Sequence, residues 1–333
     1  MLFFTTLISG TLITISAYSW LGMWMGLEIN LLSILPLMHK KNNLLTVEAT
    51  TKYFITQALA SSIILMSILM MMVELHLSDI MNKSIFMMMM NSALMTKMGA
   101  APFHFWFPEV MEGLSWMNCL LLSTWQKVAP MVLIIYTMNS MLFMSIIIIT
   151  SMVVSALMGI NQTSLRKMLS YSSINHLGWM MSALMFMETT WLYYFLIYSI
   201  INATMMATFK ELNASTISQL TQKMNSFSMN KKLFMMNFLN LSGVPPFLGF
   251  YPKWMVIQLM MSNKFILMPT MMIILTLITI FMYFRIISTS LINKPQELSW
   301  KKSEKKNQKK KIAMINFTSL ASLTLCTIMF SWA

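Results

Sequence analysis

Apolar residues follow one another in long runs along most of this chain, with no sustained alternation of polar and apolar positions. Runs of about 17–25 apolar residues are what a membrane-crossing helix requires, whereas a membrane β-barrel shows period-two alternation. The pattern predicts eleven spans: 3–19, 21–38, 51–72, 85–106, 115–136, 141–159, 168–186, 190–208, 233–261, 267–291 and 312–332. The expected fold class is therefore an all-α polytopic membrane protein, with nothing left over for a soluble domain.

Two of these runs are interrupted in the same way. Residues 95–109 read M-T-K-M-G-A-A-P-F-H-F-W-F-P-E, and residues 243–253 read G-V-P-P-F-L-G-F-Y-P-K. At an offset of 144, Gly99, Pro102, Phe103 and Pro108 fall on Gly243, Pro246, Phe247 and Pro252, and Trp106-Phe107 on Phe250-Tyr251. Each copy carries a lysine, Lys97 or Lys253, in or beside the interruption. A broken apolar helix with an ionisable residue, repeated in two halves, is a pattern of membrane transporters.

Charge sorts by loop. Only 10% of residues are charged and 57% are hydrophobic, against roughly 25% charged in soluble domains. The loops on the amino-terminal side carry Lys40, Lys41, Lys52, Arg166, Lys167, Lys210, Lys223, Lys231, Lys232, Lys294 and seven lysines between 301 and 311, which is 17 of the 23 basic residues. The opposite side has Lys83 and Lys264. The positive-inside tendency then places the amino terminus on the side of synthesis. The net charge of +13 is thus loop topology rather than a nucleic-acid footprint, and the 292–311 loop is expected to be solvated, with some attraction to anionic lipid.

Other chemistry is scarce. Cys119 and Cys326 are far apart in apolar surroundings, so neither a zinc site nor an iron–sulfur centre is expected, and no phosphate-binding glycine motif appears. The 43 methionines, Met87–Met90 included, have no fixed spacing and read as flexible apolar filler. No charged amino-terminal region with a cleavage site precedes the first span.

The remaining charges carry the argument. Lys97, Lys127, Lys253 and Arg285 lie inside spans, and Glu28 is the acid well inside one. An unpaired charge at mid-bilayer costs about 2.5–3.5 kcal/mol on insertion scales, so these residues are expected to face inward along a hydrated path. Lys127 lies in L-S-T-W-Q-K-V-A-P, where Pro130 frees a carbonyl and Ser123 and Thr124 add hydroxyls. A lysine amine titrates near 10.4 in water, falls by several units on burial, and is drawn back up by a carboxylate. A Glu–Lys contact made and broken can therefore load and release a proton. His176, in S-S-I-N-H-L-G-W, could bridge proton steps, and His104 follows the first break. The competing roles are structural: salt-bridge partners for the lysines and Glu28, packing for the histidines, and a snorkelling side chain for Arg285.

The segments at 10–14 (GTLIT), 24–30 (WMGLEIN), 48–57 (EATTKYFITQ), 97–110 (KMGAAPFHFWFPEV), 124–130 (TWQKVAP), 161–167 (NQTSLRK), 171–180 (YSSINHLGWM) and 242–254 (SGVPPFLGFYPKW) together resemble one family along nearly the whole chain. It is the chain 2 family of NADH:ubiquinone oxidoreductase, respiratory complex I. The methionine excess is similar to that of arthropod organelle-encoded chains. The resemblance implies an antiporter-like subunit of the membrane arm, in the mitochondrial inner membrane with the amino terminus on the matrix side. It implies two inverted five-helix repeats, 1–136 and 141–291, then a basic matrix-side loop, 292–311, and a final helix, 312–333. The family's proton path would carry over to Glu28, Lys97, Lys127 and Lys253. NADH, FMN, iron–sulfur clusters and ubiquinone are expected on other subunits, with no cofactor on this chain. Partners would be other membrane-arm subunits on both flanks, one flank being open because three leading helices of bacterial members are missing here, together with membrane lipids. A stand-alone sodium/proton antiporter would use the same fold logic, and a membrane scaffold with assembly charges is the third reading.

Overall fold

The computed structural model describes residues 1–39, 43–74, 80–138, 140–225, 228–245 and 247–292. The expected final helix, the basic loop beyond residue 292, Lys40, Lys41 and Pro246 lie outside the described residues. Within these limits the chain is helical, with a single isolated bridge between Ser164 and Thr216. Six helical stretches are long and apolar enough to cross a membrane as continuous elements: Trp20–Met38, Leu44–Val73, Trp116–Thr137, Met141–Ile160, Glu188–Leu212 and Leu267–Ser290. The chain divides into two compact units, Met1–Ser151 and Met152–Ala333.

In the first unit, α1 (Leu2–Ser16) and α2 (Trp20–Met38) pack backbone to backbone. A Cβ built on Gly26 would lie 2.6 Å from Thr14 Cγ2 and 2.9 Å from the Gly10 carbonyl. The absence of side chains at both glycines therefore sets the separation of the two helices. Ser19 caps α2 by accepting from the Gly22 amide at 3.2 Å. α3 (Leu44–Glu74) starts seven residues before its expected span. Its first turns leave the apolar pattern, and there Lys52 pairs at 2.8 Å with Glu48 one turn back and with Glu109 of α5 (Trp106–Gly113). Trp24 Nε1 ties α2 to α3 by donating to the Ser61 carbonyl at 3.1 Å.

The expected span at 85–106 is α4 (Ile80–Met98), then seven non-helical residues, then α5. The expected span at 115–136 is also divided, into α6 (Trp116–Ser123) and α7 (Trp125–Thr137). That discontinuity falls at Thr124, while Pro130 is accommodated inside α7. Where α7 ends, Asn91 Nδ2 from within α4 donates to the Thr137 carbonyl at 3.0 Å, and the Thr137 hydroxyl bonds Asn91 Oδ1. α8 (Met141–Ile160) continues across the division between the units.

In the second unit, α9 (Leu165–Leu184) is buried on nearly all sides, with every residue from Ser172 to Leu184 inside. This matches its polar content: Asn175, His176 and several serines face protein rather than lipid. α10 (Glu188–Leu212) ends at Asn213 in the left-handed region, and Lys223 Nζ donates to the Leu212 and Asn213 carbonyls at 2.8 and 2.6 Å. α11 (Ile217–Asn225) is a short helix absent from the sequence expectation. α12 (Ser228–Ser242) and α13 (Phe250–Ser262) replace the expected 233–261 span, and α14 (Leu267–Ile292) matches the tenth.

Candidate functional site

The two interruptions share one backbone design. α4 ends at Met98 and α5 begins at Trp106; α12 ends at Ser242 and α13 begins at Phe250. Both intervals are seven residues long and stand at the offset of 144. Gly99 and Gly243 each have φ +73°, a conformation that glycine adopts without the Cβ penalty. The Gly99 amide bonds the Thr96 carbonyl and the Gly243 amide bonds the Asn240 carbonyl, at 3.2 and 3.1 Å. The amides of Ala100 and Val244 reach Met95 and Leu239, and those of Phe103 and Phe247 reach Ala100 and Val244.

At the first interruption, Lys97 sits one residue before the end of α4 and is buried. Its carbonyl accepts from Gln57 Nε2 at 3.3 Å, and the Thr96 carbonyl accepts from Trp106 Nε1 at 2.9 Å. Side chains thus satisfy carbonyls that the broken helix leaves open. Lys97 lines a small cavity with Asn30, Tyr53, Gln57, Gln126 and Pro130. The cavity holds about 10 Å³, about the room one water needs. Its polar wall is organised: Gln126 Nε2 donates to Asn30 Oδ1 at 2.9 Å, and the Tyr53 hydroxyl stands 3.5 Å from Gln126 Oε1.

Glu28 is half-buried on α2, two residues from Asn30. It is the acid whose charge acts on Lys97, yet the two make no ion pair within 4.0 Å. Lys127, on α7, is 1% exposed. Its Nζ lies 5.5 Å from the centre of the Phe107 ring, within cation–π range. One turn before it, the Ser123 and Thr124 hydroxyls donate to the Leu120 carbonyl at 3.2 and 2.7 Å, the back-bonding that such residues favour in helices. His104 is buried within the interruption against Phe105.

At the second interruption, Lys253 is in the first turn of α13 and is buried. Its Nζ donates to the Ser242 carbonyl at 2.7 Å, where α12 ends, and stands 5.9 Å from the Trp179 ring. A cation at a helix carboxyl end is favoured by the helix dipole. Asn240 Oδ1 accepts from the Gly249 amide at 2.9 Å, closing the interval. His176, on α9, has Nδ1 2.9 Å from the Tyr194 hydroxyl and its ring 5.0 Å from that of Tyr198.

Tyr53, Gln57, Gln126, Phe107, Trp179 and Tyr194 were not among the sequence candidates. Tyr53 and Gln57 had a signal, since they are polar-tipped residues four apart and so share one face of α3. Of the rings beside the lysines, Phe107 stands in the repeated aromatic pair, whereas Trp179 had no such signal.

The family model for the transmembrane part of NADH:quinone oxidoreductases and Mrp antiporters matches residues 17–279. Among curated proteins, NADH-ubiquinone oxidoreductase chain 2 of Anopheles gambiae is 46% identical over 332 residues, covering 99% of this chain and 97% of that one. The protein of the same name from Aedes aegypti is 47% identical over 335 residues, again 99% and 97%. Among solved structures, a chain of respiratory complex I from Thermus thermophilus superposes with a TM-score of 0.83 at 20% identity, covering 96% of this chain and 76% of that chain. A chain of the Mrp complex from Dietzia superposes at 0.75 with 14% identity, covering 87% and 60%; both likenesses speak for the fold. On the family match and the near full-length identities, this chain belongs to the NADH:quinone oxidoreductase/Mrp antiporter transmembrane family.

Proposed function

We propose that the chain is a core membrane-arm subunit of respiratory complex I, in the mitochondrial inner membrane, and that it moves protons there. Electron transfer from NADH to ubiquinone on other subunits drives the movement, and no redox step occurs on this chain. The membrane topology in this reading is eleven spans. Two inverted five-helix repeats, 1–136 and 141–291, are followed by the basic loop 292–311 on the matrix side, with the amino terminus, and by the helix 312–333. Other membrane-arm subunits lie on both flanks.

The observation that carries the reading is that the buried lysines stand beside the interruptions of a family member's helices: Lys97 in a polar cavity of one water's size, Lys253 on the carbonyl that ends α12. Glu28 and Lys97 form the switchable pair near the entrance. Their separation beyond ion-pair contact fits the open state of such a pair. Lys127 relays the proton laterally, Lys253 faces the exit or the next subunit, and His176 with Tyr194 bridges proton steps.

The test is the reconstituted complex carrying Lys127→Met. Electron transfer with a reduced number of protons moved per electron supports the role. Pumping at the wild-type ratio refutes it. Copurification with flavin- and iron–sulfur-bearing subunits separates this reading from a stand-alone sodium/proton antiporter.

A further inference from the structure

Arg285, on α14, belongs to neither interruption. It is exposed on α14, seven residues before the helix ends at Ile292, or about 10 Å along the axis. Among the described residues no carboxylate comes within 4.0 Å of it. An arginine at that depth in a span needs a counter-charge or an aqueous escape.

Two cavities meet at this side chain. One, of about 350 Å³, joins Arg285 to the hydroxyl-bearing residues Thr163, Thr216, Ser218 and Thr289. The other, of about 430 Å³, joins Arg285 to Leu277, Ile280, Phe281 and Phe284. The latter residues recur at helical spacing on one face of α14, and Leu277, Phe281 and Phe284 are exposed. From Arg285 to Leu277 the apolar wall runs about 12 Å.

The polar cavity has a fixed floor. The Leu165 amide bonds the Ser215 carbonyl at 3.0 Å and the Ile217 amide bonds the Thr163 carbonyl at 3.2 Å, joining the residues that precede α9 to those that precede α11. The Thr216 and Ser218 hydroxyls are 3.1 Å apart, and Ser215 is held through its amide and hydroxyl by Gln219.

A guanidinium fork with hydroxyls around it suits the oxygens of a phosphate. The contiguous apolar face suits an acyl chain. Inorganic phosphate would account for the first cavity and leave the second unexplained. A zwitterionic headgroup would bring an ammonium, and among the described residues no acid lines either cavity to receive it. We infer that Arg285 anchors the phosphate of an anionic phospholipid whose acyl chain lies along the Leu277, Phe281 and Phe284 face of α14.

The experiment uses the assembled membrane complex in phosphatidylcholine nanodiscs containing a trace of photoreactive phosphatidylglycerol, with crosslinks mapped by mass spectrometry. Label is expected on α14 between residues 277 and 284, unaffected by millimolar inorganic phosphate. Arg285→Gln should reduce it about five-fold, the effect of removing one basic residue from a membrane surface, while Lys264→Gln leaves it unchanged. Arg285→Lys should retain most of it. Equal labelling by photoreactive phosphatidylcholine would overturn the inference, and that arm needs no variant. So would competition by phosphate, undiminished label in Arg285→Gln, or no label on α14 because protein covers the face.

Discussion

Lys253 reaches back across the second interruption and donates its Nζ to the carbonyl oxygen of Ser242, 2.7 Å away. One side chain thereby satisfies the open end of α12 and places a cation there. Replacing it with methionine leaves a buried acceptor unsatisfied, at a cost of about 1–3 kcal/mol. Lys253→Met is expected to lower both the thermal stability of the assembled complex and the protons moved per electron. Stability and pumping both at wild-type levels would count against the contact.

Gly243 and Gly99 have the same φ but different neighbours. A Cβ at Gly243 would stand 2.9 Å from Lys253 Nζ, and one at Gly99 would stand 2.9 Å from Phe107 Cβ. The left-handed backbone alone costs a substituted residue about 1–2 kcal/mol. Gly243→Ala should reproduce part of the Lys253→Met pumping defect. Gly99→Ala should act through Phe107 on Lys127, so its effect and that of Lys127→Met should not add. A double-mutant cycle giving additive losses would disconnect the glycine from the lysine.

Gln126 adjoins Lys127 in sequence and joins Asn30 beside the Lys97 cavity at 2.9 Å. Gln126→Leu removes that bond and leaves the Asn30 amide oxygen without its donor, about 1–3 kcal/mol of destabilisation. The expected outcome is slower proton movement with electron transfer retained when the membrane is uncoupled. Pumping unchanged in proteoliposomes would show that this polar wall is only structural.

Gly26 fits against Thr14 and the Gly10 carbonyl with no room for a methyl group. Gly26→Val should force α1 and α2 apart and reduce the amount of assembled complex, by about 1–3 kcal/mol or more of overpacking. Normal assembly on native gels would mean that α1 can dock in another way.

Lys52, by contrast, pairs with Glu48 and Glu109 where all three side chains are well exposed. Exposed pairs are screened and contribute little. Lys52→Gln is expected to leave assembly and turnover as in the wild type, and a clear loss of either would give this cluster a role that its exposure does not suggest.

The helices themselves were legible because burial in lipid demands long apolar runs. Each expected span up to 291 lies on one helix or on an interrupted pair. The two intervals were legible because each opens on a glycine whose φ of +73° other residues rarely adopt, and the sequence repeats that glycine with its neighbouring proline. The division at Thr124 was not, because no glycine or proline sits there. Nor was α11, whose nine residues are too short for an apolar run. α3 extends back to Leu44 through turns that hold Glu48 and Lys52, good helix formers that an apolar run does not mark. Lys97, Lys127 and Lys253 could be singled out as charges among apolar neighbours. What each amine touches, a carbonyl, a ring or a one-water cavity, depends on helices distant in sequence.

The equal lengths of the two intervals have a consequence for how this chain can vary. A helix turns about 100° and advances about 1.5 Å per residue. Deleting one residue between 243 and 249 would swing the start of α13 by that angle and aim Lys253 away from Ser242. Substitutions within either stretch can be absorbed side chain by side chain, whereas a change in its length resets the rotation of every residue in the half-helix that follows.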